Sequence, residues 1–212
     1  MSSDPESGAR PPVPPQENLE VATERGFDAL AGQGYEQLRW LGAEPVGDRW
    51  RLPVLDEVLE VDPAGRRVTT PAGVDVGPAW RILVLHYLAI AARPERLPPE
   101  ITFAELRTAR SYAGVYHGRV ISRLCATAGR DARRLTAAAQ SLGGRPAGGG
   151  DAAFDFRAFP RVRLRLIWHA PDDEFPASAT LLLPPNIESY FCSEDVVVLS
   201  ECLVARLGGR SF

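Results

Sequence analysis

Between Arg161 and Trp168 the chain alternates strictly. Val162, Leu164, Leu166 and Trp168 occupy every second position, with Arg161, Arg163, Arg165 and Ile167 between them. Successive side chains of a strand point to opposite faces, so the octapeptide is predicted to be extended, greasy on one face and cationic on the other. Phe154 and Phe156 precede Phe159-Pro160 with the same two-residue period. The turn Ala170-Pro171-Asp172-Asp173-Glu174 then leads into a strand over Ala177–Leu183. Connections this short permit only antiparallel pairing.

An earlier segment carries the same period. Trp50, Leu52 and Val54 alternate with Arg49, Arg51 and Pro53, and Val58 and Val61 flank Leu59 and Glu60. Asp62-Pro63-Ala64-Gly65 supplies a type I turn before Arg67, Val68 and Thr69, giving a hairpin or small meander. Elsewhere the spacing is helical. Leu19, Ala22, Phe27 and Leu30 mark a first helix, and Tyr35–Leu41 a short second one after Gly32 and Gly34. Pro78 opens a helix over Ala79–Ala92, whose Trp80, Leu83, Val84, Tyr87, Leu88 and Ala91 make it apolar on so many sides that it should be central. Thr102-Phe103-Ala104-Glu105 has capping-box spacing. Helical runs follow over Ala113–Ala128 and Asp131–Leu142. Ser193 is the expected cap of a last helix that carries Glu194 and Asp195 in its first turn and stops at Gly208-Gly209.

Hairpins between helices specify an α+β fold, with antiparallel hairpins packed against a helical layer, rather than a doubly wound sheet. Residues 1–16, with five prolines among Ser, Asp and Glu, read as a disordered tail, and 17–212 as a single domain. Gly143–Gly150 holds five glycines and reads as a flexible loop; no Gly-x-Gly-x-x-Gly follows a strand there.

A chain of 212 residues with 45% hydrophobic content can bury a substantial core. Its net charge of -3 gives no case for nucleic acid or an anionic membrane surface. All 24 basic residues are arginine, which excludes a Schiff-base lysine, a Ser-Lys dyad and a phosphate loop ending in Gly-Lys-Ser/Thr. Cys125, Cys192 and Cys202 form no Cys-x-x-Cys pair, so neither a disulfide framework nor a four-thiolate site is expected. Cys125 and Cys202 fall in apolar helical runs and Cys192 before a helix start, where it is the more exposed. The N-terminus has no apolar signal region, and no run of 18 apolar residues occurs, so the expectation is a cytoplasmic chain without a membrane span.

Three groupings carry candidate chemistry. His86-Tyr87 and Tyr116-His117 lie on separate predicted helices, and with a carboxylate such as Glu105 two imidazoles could ligate zinc or iron. No paired-ligand motif supports this, and no metal is assigned. His169 beside Asp172, Asp173 and Glu174 offers acid–base groups, with His169, Asp173 and Glu174 the catalytic candidates. Arg161, Arg163 and Arg165, extended by Arg157, form a stripe suited to phosphates or carboxylates, because the neighbouring strand Ala177–Leu183 holds no acid. The expectation is a binding or accessory domain that uses Arg161, Arg163, Arg165, His86, Tyr87 and His117. Its ligand would be a small anion, a tetrapyrrole-like cofactor or a protein partner. A small acid–base enzyme is the alternative.

The C-terminal third also carries a resemblance. Phe159-Pro160-Arg161, Ile167-Trp168, Asp173-Glu174-Phe175-Pro176-Ala177, Leu181-Leu182, Ile187-Glu188, Tyr190 and Glu194-Asp195 occur in this order. The order is similar to that of an uncharacterised prokaryotic domain family, found largely in anaerobes and known only as a domain of unknown function. Ile82–Leu88 and Thr102–Leu106 resemble its middle, so the likeness spans about residues 20–207. Some relatives carry an additional N-terminal iron–sulfur module, and this chain has Met1–Gln16 in that place without clustered cysteines. The resemblance implies a small cytoplasmic domain linked to anaerobic redox or corrinoid metabolism. It transfers no catalytic residue, and the cofactor stays unknown.

Overall fold

Where the two-residue period holds, the chain forms two antiparallel sheets. The computed structural model describes residues 16–95, 97–107, 109 and 112–212, with side chains from Asn18 onward. The expected tail lies outside the described residues except for Gln16, which opens the first helix. The first sheet is a meander, β1 Glu44–Val46, β2 Arg49–Val54, β3 Glu57–Asp62 and β4 Arg67–Thr69, in sequential order. The second contains β5 Ile101–Thr102, β6 Arg145–Pro146, β7 Ala152–Phe159, β8 Val162–His169 and β9 Ser178–Leu183, in the order β5-β9-β8-β7-β6. The two are joined where the Leu55 N–H donates to the Ala158 carbonyl at 3.3 Å.

Strand β8 buries Val162, Leu164, Leu166 and Trp168 and turns Arg163, Arg165, Ile167 and His169 to the other face. Arg161 sits in the tight turn before it rather than in the strand. The helical layer covers the apolar face. Helices α1 (Gln16–Ala31) and α2 (Tyr35–Trp40) precede the meander, and α3 (Pro78–Leu88) is central, burying Trp80, Leu83, Val84, Leu85, Tyr87 and Leu88. It packs between α1 and α7 (Ser193–Leu207). The approach of α1 is close: a Cβ at Gly26 would meet the Leu85 Cβ at 2.9 Å.

Three local expectations change. Helix α3 stops at Leu88 instead of Ala92, and the Gln37 amide from α2 donates to the Ile90 and Ala92 carbonyls at 2.8 and 3.0 Å, satisfying groups that a longer helix would have used. The run Ala113–Ala128 divides into α4 (Ala113–Tyr116), a π-helical turn His117–Ser122 and α5 (Arg123–Ala126). The cap of α7 is Cys192, not Ser193, because Cys192 is extended while Ser193 is already helical; its Sγ accepts the Asp195 N–H at 3.5 Å. The capping box at Thr102 and Glu105 is present, on a single 3-10 turn.

The glycine run is built into the sheet rather than standing apart from it. After α6 (Ala132–Ser141), Arg145-Pro146 pairs with β7. Gly150 adopts φ +57°, and a Cβ there would lie 2.4 Å from the Trp168 carbonyl oxygen. No helix among the described residues is long and apolar enough to cross a membrane.

Candidate functional site

The outer face of the second sheet ends in a cleft of about 320 Å³. Its cationic wall comes from the β7–β8 hairpin: Arg157 near the end of β7, Arg161 in the turn and Arg163 on β8. Arg157 stands directly opposite Arg163, and the register shifts immediately afterwards, between Arg157 and Phe159. Such a bulge re-aims side chains at a strand end. The facing wall is formed by Pro94, Leu97 and Glu100 from the segment after α3, and by Asn186 and Tyr190 beyond β9. That wall is tied together, with the Asn186 amide donating to the Glu95 carbonyl and the Tyr190 hydroxyl to the Pro94 carbonyl.

Arg161 is held in place by the protein itself. Its Nε donates to the Trp40 carbonyl at 2.8 Å, its guanidinium lies 4.5 Å from the centre of the Trp40 ring, and its backbone N–H donates to the Tyr87 hydroxyl at 3.2 Å. Tyr87 itself is fully buried and donates to the Leu41 carbonyl at 2.7 Å, so it supports the turn from below. Burial raises the Tyr87 phenol well above its usual range, against the opposing pull of Arg161 and Arg157. Burial also pushes the Tyr190 phenol up, with Arg161 opposing. Among the described residues, Arg157, Arg161 and Arg163 have no carboxylate within ion-pair distance. The cleft thus gathers three exposed guanidiniums against one acid, Glu100.

A family model described as a domain of unknown function, DUF3786, matches residues 36–206. The chain belongs to that family. No curated protein and no solved structure matches it. The DUF3786 segment contains both sheets and every cleft residue, whereas α1 lies before it.

The residues singled out in the sequence separate into five places. Arg161 and Arg163 meet in the cleft with Arg157. Arg165 does not join them: Asp155, across the strand pair, takes its Nε and an amino group at 2.7 and 3.1 Å. His86 turns to α7, where its Nδ1 lies 2.9 Å from Asp195. This contact raises the imidazole pKa, against partial burial. His117 is exposed beside a second hollow of about 180 Å³, also lined by Phe103, Tyr116 and Leu181. The histidines therefore do not share a site, and Glu105, the carboxylate considered with them, is engaged by the N–H and hydroxyl of Thr102, both at 2.7 Å. Among the described residues no three His, Cys, Asp or Glu side chains are grouped to hold a metal.

His169, Asp173 and Glu174 lie exposed around the β8–β9 connection, outside both hollows. Asp172 accepts the Glu174 and Phe175 N–H groups at 2.9 and 2.7 Å, which holds its carboxyl below the usual range. These two bonds close the turn ahead of Pro176. Of the cysteines, Cys192 is exposed, Cys125 half-buried and Cys202 buried, its thiol pushed up to about 12.

The sequence reading missed Glu100, Asn186 and Tyr190 as cleft residues. Arg157 had a signal: it continues the two-residue period from Phe154 and Phe156 on the opposite face. The three residues of the far wall come from irregular segments and leave no periodic trace.

Proposed function

We propose that this protein is a binding domain for a small anionic ligand, held in the cleft by Arg157, Arg161 and Arg163. The single observation that supports this most is the Arg157–Arg163 cross-strand pair, which has no acid within ion-pair distance among the described residues. Like charges directly opposite one another destabilise a sheet, and an anion seated between them reverses the sign of that contribution. Arg161 adds a guanidinium whose orientation is already fixed by Trp40, so little of its freedom remains to be lost on binding. Guanidinium groups suit the planar, two-point recognition of carboxylates and phosphates. A volume of about 320 Å³ lies at the small end of ligand sites, which favours a small anion over a tetrapyrrole-like cofactor.

Titration calorimetry of the full chain with pyrophosphate and, separately, citrate at low ionic strength tests the reading. A charge-assisted hydrogen bond contributes about 1.5–3 kcal/mol, so Arg163→Ala should weaken the bound anion by about tenfold or more. Arg133→Ala, which removes an exposed positive charge on α6, should leave the affinity unchanged. No binding of either anion, or equal losses in the two variants, would overturn it.

A further inference from the structure

Glu100 is an unexpected neighbour for three arginines. Among the described residues it is the one acid lining the cleft, and its side chain is 33% exposed. Its nearest cationic partner, an amino group of Arg165, is 4.0 Å away, beyond hydrogen-bond distance. That guanidinium is already engaged by Asp155 through two short bonds. Glu100 therefore contributes negative charge to the cleft without being used up in a close pair of its own.

Sheet register fixes where that charge lies. Ile101 pairs with Leu183 and Arg165 with Leu182. Continuing these ladders by one and two residues places Glu100, Pro184, Arg163 and Arg157 in one row across the sheet. Residues in such a row share a face, and adjacent strands lie about 4.8 Å apart. The Glu100 backbone is thus two strand spacings, about 10 Å, from that of Arg163, with Arg157 farther along the same line. Pro184, the residue between them, carries no charge, and Leu97 and Tyr190 supply apolar surface to the same hollow. The floor reads in sequence as negative, apolar, positive, positive.

We propose that Glu100 makes the cleft selective for amphoteric ligands, with a phosphate or carboxylate at one end and an ammonium or other strong hydrogen-bond donor about 10 Å away. This rests on the anion-binding reading and narrows it to a ligand class. A ligand negative at both ends would place one charge against the Glu100 carboxylate, so the acid acts by exclusion as well as by attraction. Arg157, Arg161 and Arg163 set the anionic end, and Glu100 sets the polarity and length of what extends from it.

Two probes of equal length separate these roles: 6-aminohexyl phosphate and hexyl phosphate, titrated into the full chain near neutral pH. The aminated probe should bind at least fivefold more tightly to the natural chain. In Glu100→Gln the preference should fall below twofold, mainly because hexyl phosphate binds better once the repelling charge is gone. Equal affinities for the natural chain, or a preference that survives Glu100→Gln, would overturn the role of Glu100 while leaving the anion cleft standing. If neither probe binds, or if Arg163→Ala leaves both affinities unchanged, the anion-binding reading itself fails.

Discussion

Arg163 and Arg165 stand two residues apart on one face of β8, and the strand beside them treats them oppositely. Arg165 faces Asp155 and is 30% exposed, with both of its hydrogen bonds to that carboxylate at or below 3.1 Å. Arg163 faces Arg157 and has no acid within ion-pair distance among the described residues. Identical residues at a regular spacing thus stand in different settings, one paired across the sheet and one left exposed. The difference comes mainly from β7, where Asp155 and Arg157 alternate with the buried Phe154 and Phe156, and Glu100, 4.0 Å from Arg165, adds to it.

The largest test of this two-sided reading concerns the residue between the two arginines. Leu164 is fully buried on the inner face of β8. Leu164→Ala should cost about 2–5 kcal/mol, as large-to-small core changes do. Arg163→Ala should change stability little or raise it slightly, since it removes a like-charge contact. Urea unfolding of the two variants measures both; a large loss in Arg163→Ala would mean that its guanidinium is structural.

Next in size is the glycine that lets β7 begin beside the end of β8. Gly150→Ala combines a left-handed backbone with a Cβ placed 2.4 Å from the Trp168 carbonyl oxygen. A loss of about 1–3 kcal/mol is expected from backbone strain, with the close contact adding to it. Gly148→Ala, where a Cβ meets nothing within 4 Å, is the matched control. Equal melting temperatures for the two variants would return this segment to the simple flexible loop its composition suggests.

These residues also mark how far the sequence can be read. The alternation in Arg161–Trp168 places the strand and its buried face correctly, because a two-residue period has one structural solution when flanked by turns. The helical layer and the central position of α3 follow from apolar spacing in the same way. The glycine run was misleading because its composition resembles a linker, whereas the need for Gly150 arises from a carbonyl 18 residues away. The π-helical turn His117–Ser122 interrupts a helical pattern without Pro to announce it. For the cleft, the sequence pointed to the stripe but considered only the strand on one side. Asp155 was the decisive neighbour, and continuing the alternation from Phe154 through Arg157 would have assigned it to Arg165. Glu100, Asn186 and Tyr190 are brought to the cleft by tertiary packing alone.

Exchanging one arginine of the open row for an acid should make it resemble the closed one. In Arg157→Glu the new carboxylate stands opposite Arg163, and an opposite-charge cross-strand pair contributes roughly 0.2–1 kcal/mol. The variant should therefore be slightly more stable than the natural chain and lose measurable pyrophosphate binding. A variant that is less stable yet still binds the anion would break the contrast between the two rows. Calorimetry and thermal melting on the same preparation separate these outcomes.

The smallest expected effect comes from Asp195, a buried acid that holds a histidine. In the Asp155–Arg165 pair the arginine keeps its charge throughout the neutral range, because a guanidinium does not deprotonate there. The His86–Asp195 pair does not, although it joins α3 to the first turn of α7 in a comparable way. The hydrogen bond to Asp195 raises the folded-state pKa of His86 above the ordinary 6.5, with burial opposing. A raised histidine pKa means that the contribution is fully present below the unfolded value and is lost as pH rises through the folded one. The natural chain should therefore lose part of its advantage over Asp195→Asn as pH rises above the ordinary histidine value and through the raised folded-state one, because imidazolium gives way to neutral imidazole. The gap should shrink without closing, since a carboxylate in the first turn of α7 still favours the helix dipole at every pH in that window. Melting temperatures of the two proteins across this range provide the measurement. A gap that stays constant would show that His86 is held by a neutral hydrogen bond, and a gap that widens with pH would reverse the sign of the linkage.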